Sequence, residues 1–384
     1  MPTNSLRTPA KLLAVVALAL ALASCSNTPP IVCNALPSSS ATCTCGSGVS
    51  ACPIQPGPEF LYAVGSGQIL AFSVDHNSGA LTAAGSVTGP SMSFGLAAVN
   101  NQFLYASDSL AAQLDGFSIN QKTGALTALS GSPFPTAPFS FPVGLASPAA
   151  SSLLYAADAG RVDAFTVSSS GAPTALSGST FSSGTNLFLT VDPSGHLLYA
   201  SIDDPPGGIF GFTIDSAGAL TAVPGSPFAI PGQTVSNSRP FGIVDTGSYV
   251  YAALSGTNQI AAFSIVSGTG ALVPVPGSPF STGATPAALV LASGFLYALN
   301  DGGISGYSIN SSTGVLTPLS GSPFAIIGGA MTADSLGQYL YVSGLTGIQA
   351  FNLNSTSGAL TAVTGSPFSA GEATVLTVVQ IPPP

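Results

Sequence analysis

The sequence predicts an all-β fold, a ring of seven blades with four antiparallel strands each, on three observations. The phrase Leu/Val-Tyr-Ala/Val recurs with tyrosines at Tyr62, Tyr105, Tyr155, Tyr199, Tyr251, Tyr297 and Tyr341. Their mean spacing of about 46 residues belongs to four-stranded propeller blades rather than helical solenoids. Within each repeat, apolar and aromatic residues alternate with period two, as in Ile260-Ala-Ala-Phe-Ser-Ile265, which is the pattern of a strand. The first repeat lacks one apolar run, and the chain ends with an orphan one, Ala373-Thr-Val-Leu-Thr-Val-Val379.

The elements follow in order. Strand A, the inner one, is an apolar run ahead of each tyrosine, such as Ala287-Ala-Leu-Val-Leu291; strand B carries the tyrosine. Strand C carries an aromatic ten to thirteen residues later, at Phe72, Phe117, Phe165, Phe212, Phe263, Tyr307 and Phe351. It sets large residues (Leu70, Phe72, Val74) on one pleat face and small ones (Ala71, Gly116, Ala164, Gly211) on the other. A large face meeting a small face predicts a core lying between blades rather than in one central cluster. Strand D begins at a Gly-Ala-Leu-Thr phrase whose glycine suits a tight turn, at Gly79, Gly124, Gly171, Gly218, Gly270, Gly314 and Gly358. Gly-Ser-Pro-Phe then follows at Gly131, Gly225, Gly277, Gly321 and Gly365, degraded at Gly178 and absent from the first repeat. Its proline cannot donate to a ladder, so it is expected to end the outermost strand. The orphan run is expected to supply strand A of blade 1, so that three N-terminal strands and one C-terminal strand close the ring and remove exposed edges.

Upstream of the blades, Arg7 and Lys11 precede an apolar run, Leu12 to Ala23, too short to span a bilayer. The run ends in Leu22-Ala-Ser-Cys25, which resembles the lipobox of bacterial lipoprotein signal peptides. That resemblance implies a signal peptide over 1–24, a lipidated Cys25, a tether over 25–57 and a propeller over 58–381. It also implies a cell-envelope location, anchored by lipid on the non-cytoplasmic side, in the periplasm or at the outer membrane. Cys33, Cys43, Cys45 and Cys52 all lie in the tether and read as two disulfides in an oxidising compartment, with three connectivities open.

Charge excludes one function class. Only 5% of residues are charged, and beyond the leader three basic side chains face fourteen acidic ones, a formal net of −11. Nucleic-acid binding demands a basic face that Lys122, Arg161 and Arg239 cannot make.

The phrases Leu-Tyr-Ala, Ile-x-Ala-Phe-Ser-Ile, Thr-Gly-Ala-Leu-Thr and Gly-Ser-Pro-Phe, over residues 58 to 380, resemble the bacterial lactonase-type propellers. That group includes 6-phosphogluconolactonase-like and Tyr-Val-Thr-Asn repeat proteins. The resemblance implies a site at the channel mouth, on the face built from D-to-A and B-to-C connections, with charged side chains near the start of inner strands. Where the family tends to carry a histidine after the proline opening an inner strand, this chain has Val143, Phe241 and Ala287. His76 and His196 fall in C-to-D and A-to-B turns, which map to the opposite face, and are expected to be solvated turn residues.

Catalytic candidates on the site face are Arg239, a clamp for an anionic or carbonyl oxygen, and Glu372, a general base for water. Binding candidates are Asn186 at a third inner-strand mouth and, in B-to-C connections, Asp108, Asp158, Arg161, Asp203, Asp204, Asn300 and Asp301. No cofactor is expected; Ca²⁺ on the Asp-rich loops is an alternative, although no loop has regular Asp-x-Asp-x-Asp spacing. The favoured expectation is a monomeric, non-catalytic display module presenting this face to a protein, a glycan or a cation. The alternative is a lactonase hydrolysing a sugar lactone.

Overall fold

A computed structural model describes residues 56–136, 141–158, 160–176, 186–202, 208–233, 239–371 and 373–383. Every regular element among them is a β-strand, and Pro56–Pro383 forms one compact unit. Cys25, the tether cysteines Cys33, Cys43, Cys45 and Cys52, and the leader lie outside the described residues.

The strands form seven antiparallel sheets, each ordered A, B, C, D outward. Inner strands touch their neighbours all the way round, from Leu96–Val99 through Ala284–Ala292 to Val375–Gln380 and back to Leu96–Val99. The closing blade has the expected three-plus-one composition. Val375–Gln380 pairs with Glu59–Gly65, placing Thr377 opposite Tyr62.

Seven hydrophobic clusters make up the core, each combining residues of two adjacent blades. Phe72, for example, packs with Tyr341, Ile348 and Ala350 of blade 7, while Ala71 on its other face packs with Leu104 and Phe117 of blade 2. The core therefore lies between blades, as the two faces of strand C require.

The repeated tyrosine and the repeated glycine prove to be partners. Each tyrosine is fully buried, and its hydroxyl donates to the C-to-D turn glycine carbonyl of the next blade. Tyr62 reaches Gly124 at 2.9 Å, Tyr199 reaches Gly270 at 2.7 Å and Tyr251 reaches Gly314 at 2.9 Å. Tyr341 reaches Gly79 at 3.1 Å and so latches the last blade to the first. Glycine is needed at these turns for two reasons. Gly124 has φ +72°, and a Cβ there would lie 2.3 Å from the Phe60 ring of the previous blade.

Gly-Ser-Pro-Phe does more than end the outer strand. In blade 2, Leu126–Ala128 pairs with strand C, the chain then leaves it, and Phe134–Pro135 pairs with it again at Leu114 and Gln113. The proline sits in the interruption, after a cis Ser132–Pro133 bond, and the serine fills the gap in the ladder: Ser132 Oγ accepts the Gly116 amide at 2.9 Å. Ser226, Ser278, Ser322 and Ser366 do the same for Gly211, Ala262, Gly306 and Ala350. These residues are small because a ring lies over them: a Cβ on Gly116 would come within 2.8 Å of Phe134 and 3.0 Å of Tyr105. Blade 1, without the phrase, keeps an outer strand, Leu81–Thr88, with one bulge.

Candidate functional site

Antiparallel order puts the B-to-C and D-to-A connections at one end of the ring. On that face the hairpin Ser107-Asp108-Ser109 of blade 2 grips the connections on both sides of it. Towards blade 1, Ser107 Oγ accepts the Gly95 amide at 3.0 Å, and the Ser109 amide donates to the Met92 carbonyl at 3.0 Å. Towards blade 3, Ser107 Oγ donates to the Val143 carbonyl at 3.0 Å and Ser109 Oγ to the Pro142 carbonyl at 2.6 Å. Asp108, also buried, accepts the amides of Ser91, Leu110 and Ala111 at 3.1 to 3.3 Å.

Blade 3 repeats the arrangement with a cation added. Asp158 is fully buried, accepts the Phe141 amide and receives Arg161 Nη2 at 3.0 Å. Arg161 Nε donates to Asp163 at 3.0 Å, so one guanidinium spans two carboxylates. Burial pushes the Asp163 carboxyl above its ordinary range, and Arg161 opposes that shift. Asp108, Asp158 and Arg161 thus come together in one sector, where the aspartates hold loop amides in place.

The other candidates are dispersed. Arg239 precedes strand A of blade 5 and is exposed; its backbone is left-handed, φ +41°, and its carbonyl accepts Ser255 N at 3.1 Å and Ser255 Oγ at 3.0 Å. Asn300 of blade 6 is buried and engaged by its own hairpin, donating to Ala298 O and Ser305 Oγ, while Thr282 Oγ1 donates to its Oδ1 at 3.1 Å. Asp301 beside it is exposed. Asn186 opens strand A of blade 4, opposite Ile202. Asp203, Asp204 and Glu372 lie outside the described residues. No group of three or more His, Cys, Asp or Glu among the described residues is arranged to hold a metal ion.

One residue was not singled out from the sequence. Asp115 is half-buried on strand C of blade 2, paired with Ala106, and burial together with the nearby Asp108 charge pushes its carboxyl up to about 6. A signal for it exists in the repeats. The position two before the strand C aromatic holds Leu70, Phe210, Ala261, Ser305 and Gln349 elsewhere, and only blades 2 and 3 place an acid there, Asp115 and Asp163.

On the opposite face His76 departs from its expectation as a solvated turn residue, whereas His196 matches it. His76 is largely buried: its Nδ1 lies 3.5 Å from Oε2 of the wholly buried Glu59, and its Nε2 lies 3.1 Å from the Gly57 carbonyl. Glu59 Oε1 accepts the Ser335 amide of blade 7 at 2.7 Å, which ties the closing blade to its neighbour. His196 is exposed, with Nδ1 3.0 Å from Ser194 Oγ, whose hydroxyl bonds to Asp192 within the same turn.

No protein-family model matches the sequence, and no curated protein sequence does. Solved structures do match. A candidate 6-phosphogluconolactonase from Bacteroides uniformis superposes with a TM-score of 0.70 at 18% identity, over 85% of this chain and 100% of that one. A protein from Lactobacillus plantarum gives 0.66 at 18% identity, over 84% and 99%. The periplasmic gluconolactonase of Pseudomonas aeruginosa gives 0.64 at 16% identity, over 85% and 100%. Likeness at these identities speaks to architecture, and the chain is accordingly a seven-bladed β-propeller built like the lactonase-type propellers.

Proposed function

We propose that this propeller hydrolyses a lactone at the B-to-C and D-to-A face, in the sector of blades 2 and 3. The observation that carries the reading is Asp115, a strand C carboxyl pushed up to about 6 by burial and by the charge of Asp108, whose own loop is pinned to its neighbours. A carboxylate with that affinity for protons is a competent general base near neutral pH. In the proposed step the oxygen of a water molecule bonds to the ring carbonyl carbon while its proton passes to Asp115. The bond from that carbon to the ring oxygen then breaks, and the departing alkoxide takes the proton back. The product is an open hydroxy acid. The shared fold with proteins described as gluconolactonases supports the choice of substrate class over the display role. The leader that precedes Cys25, and the periplasmic place of the Pseudomonas aeruginosa protein, support a location outside the cytoplasm.

Lactone hydrolysis by the full chain across pH tests this. The rate is expected to rise through pH 6 and level off above it, and Asp115→Asn to lose about 10²-fold or more along with that inflection. Arg239→Ala and Glu372→Ala serve as the competing pair. A rate lost in both of these and kept in Asp115→Asn moves the site to the mouths of the inner strands. No turnover above buffer returns the display role.

A further inference from the structure

Resting on the lactonase reading, we infer that the substrate is an uncharged lactone bearing an alkyl or aryl substituent, and that Phe94, Leu110 and Phe141 seat that substituent. These side chains are 38%, 68% and 38% exposed, an unusual display for large apolar groups in one sector. The fold anchors the segments that carry them to two adjoining hairpins. Phe94 belongs to the connection held by Ser107 Oγ and Asp108, Leu110 donates its amide to Asp108, and Phe141 donates its amide to Asp158 and adjoins Pro142, which Ser109 holds. The side chains of Ser107, Asp108, Ser109 and Asp158 are thus spent on fixing the backbone from which these three apolar side chains project. Such a rigid apolar platform gains affinity because little ordering is left to occur on binding.

Charge decides against an anionic occupant. The sector holds Asp108, Asp115, Asp158 and Asp163, and its one arginine, Arg161, is already bridged to two of them. A phosphate or carboxylate on the substrate would meet like charge with no bidentate donor to receive it. A hydroxyl-rich sugar would leave the apolar platform uncovered.

The test is kcat/KM of the full chain on gluconolactone, its 6-phosphate, unsubstituted δ-valerolactone, and δ-lactones carrying butyl or octyl chains. Specificity is expected to climb about fourfold per methylene buried until the patch is covered. The octyl-to-unsubstituted ratio should collapse in Leu110→Ser and Phe141→Ser and survive in Leu345→Ser, an exposed residue of blade 7. Hydrolysis indifferent to chain length, or best with the 6-phosphate, overturns the inference while leaving lactone hydrolysis standing. If no lactone turns over, the function fails, and the platform is read by binding of an uncharged solvatochromic dye. Saturable binding lost in the Leu110→Ser, Phe141→Ser double variant upholds it; absence of binding overturns it.

Discussion

Replacing Tyr62 by phenylalanine removes one hydroxyl from the seam between blades 1 and 2 and nothing else. The ring stays packed, since its cluster contacts with Leu104, Phe117 and Ile119 are carbon contacts. What is lost is the 2.9 Å bond to the Gly124 carbonyl, in a place water does not reach. Leaving a buried carbonyl without its donor costs about 1–3 kcal/mol. Unfolding entropy of about 2.1 cal/mol/K per residue gives roughly 0.7 kcal/mol/K over the Pro56–Pro383 unit, so Tm should fall by about 1.5–4 °C. Tyr251→Phe, in a seam with no shared partners, should fall by a similar amount, and the double variant by the sum. Tyr249→Phe is the comparison: its hydroxyl reaches Ser311 O at 3.3 Å in a partly solvated place, and its loss should be at the edge of detection. Thermal melts followed by far-ultraviolet circular dichroism read all four. A Tyr62→Phe melt indistinguishable from that of Tyr249→Phe would refute the idea that the hydroxyls latch the blades.

Other consequences follow from the same contacts. Ser226→Ala strips the Gly211 amide of its 3.0 Å acceptor and should cost about 1–2 kcal/mol by denaturant titration, with Ser226→Thr the milder change. His76→Ala removes the side chain that faces Oε2 of the wholly buried Glu59 at the closing blade and leaves that polar atom against a void; a loss of about 1–3 kcal/mol is expected, and Glu59→Gln in the same background should recover part of it. Asp115 and Asp245, both pushed up to about 6 chiefly by burial, hold protons when folded that the unfolded chain releases near 4. Their stabilising protons are lost as pH rises from 4 through 6, so Tm should be higher at pH 5 than at pH 7.5. At the acid end the sign reverses. Asp75, lowered first by the Asn77 amide, and Asp192, where hydrogen bonds from Ser194, Leu197 and His196 outweigh burial, lose their contribution as pH falls below about 4. Burial also pushes the seam tyrosines far up, so phenolate absorbance in alkali should appear together with unfolding rather than before it.

Much of the fold was legible because its signals are local and repeated. Tyrosine, strand C aromatic, turn glycine and Gly-Ser-Pro-Phe each stand at steady offsets, and a terminal run without a repeat to belong to points to ring closure. Their mutual relations were not legible. Tyr62 and Gly124 stand 62 residues apart in different repeats, so period alone cannot say that they touch. The same holds for Ser132 and Gly116, whose bond depends on an interruption of the outer strand that the proline only suggests. Asp108 and Asp158 were visible as loop acids, yet their acceptor geometry turns them inward to loop amides. Asp115 was hidden inside a strand pattern and stands out only as a departure from its repeats.

By itself the sequence determined the architecture: seven blades, their strand order, the inter-blade core and the three-plus-one closure, because each is encoded in spacings that one unit repeats. Only the tertiary structure decided which side chains and loops come together. Two connections, one from blade 1 and one to blade 3, meet over the Ser107-Asp108-Ser109 hairpin, and the burial that perturbs Asp115 exists only in the folded ring. Strand identity is a property of neighbours along the chain, whereas desolvation and convergence are properties of neighbours in space.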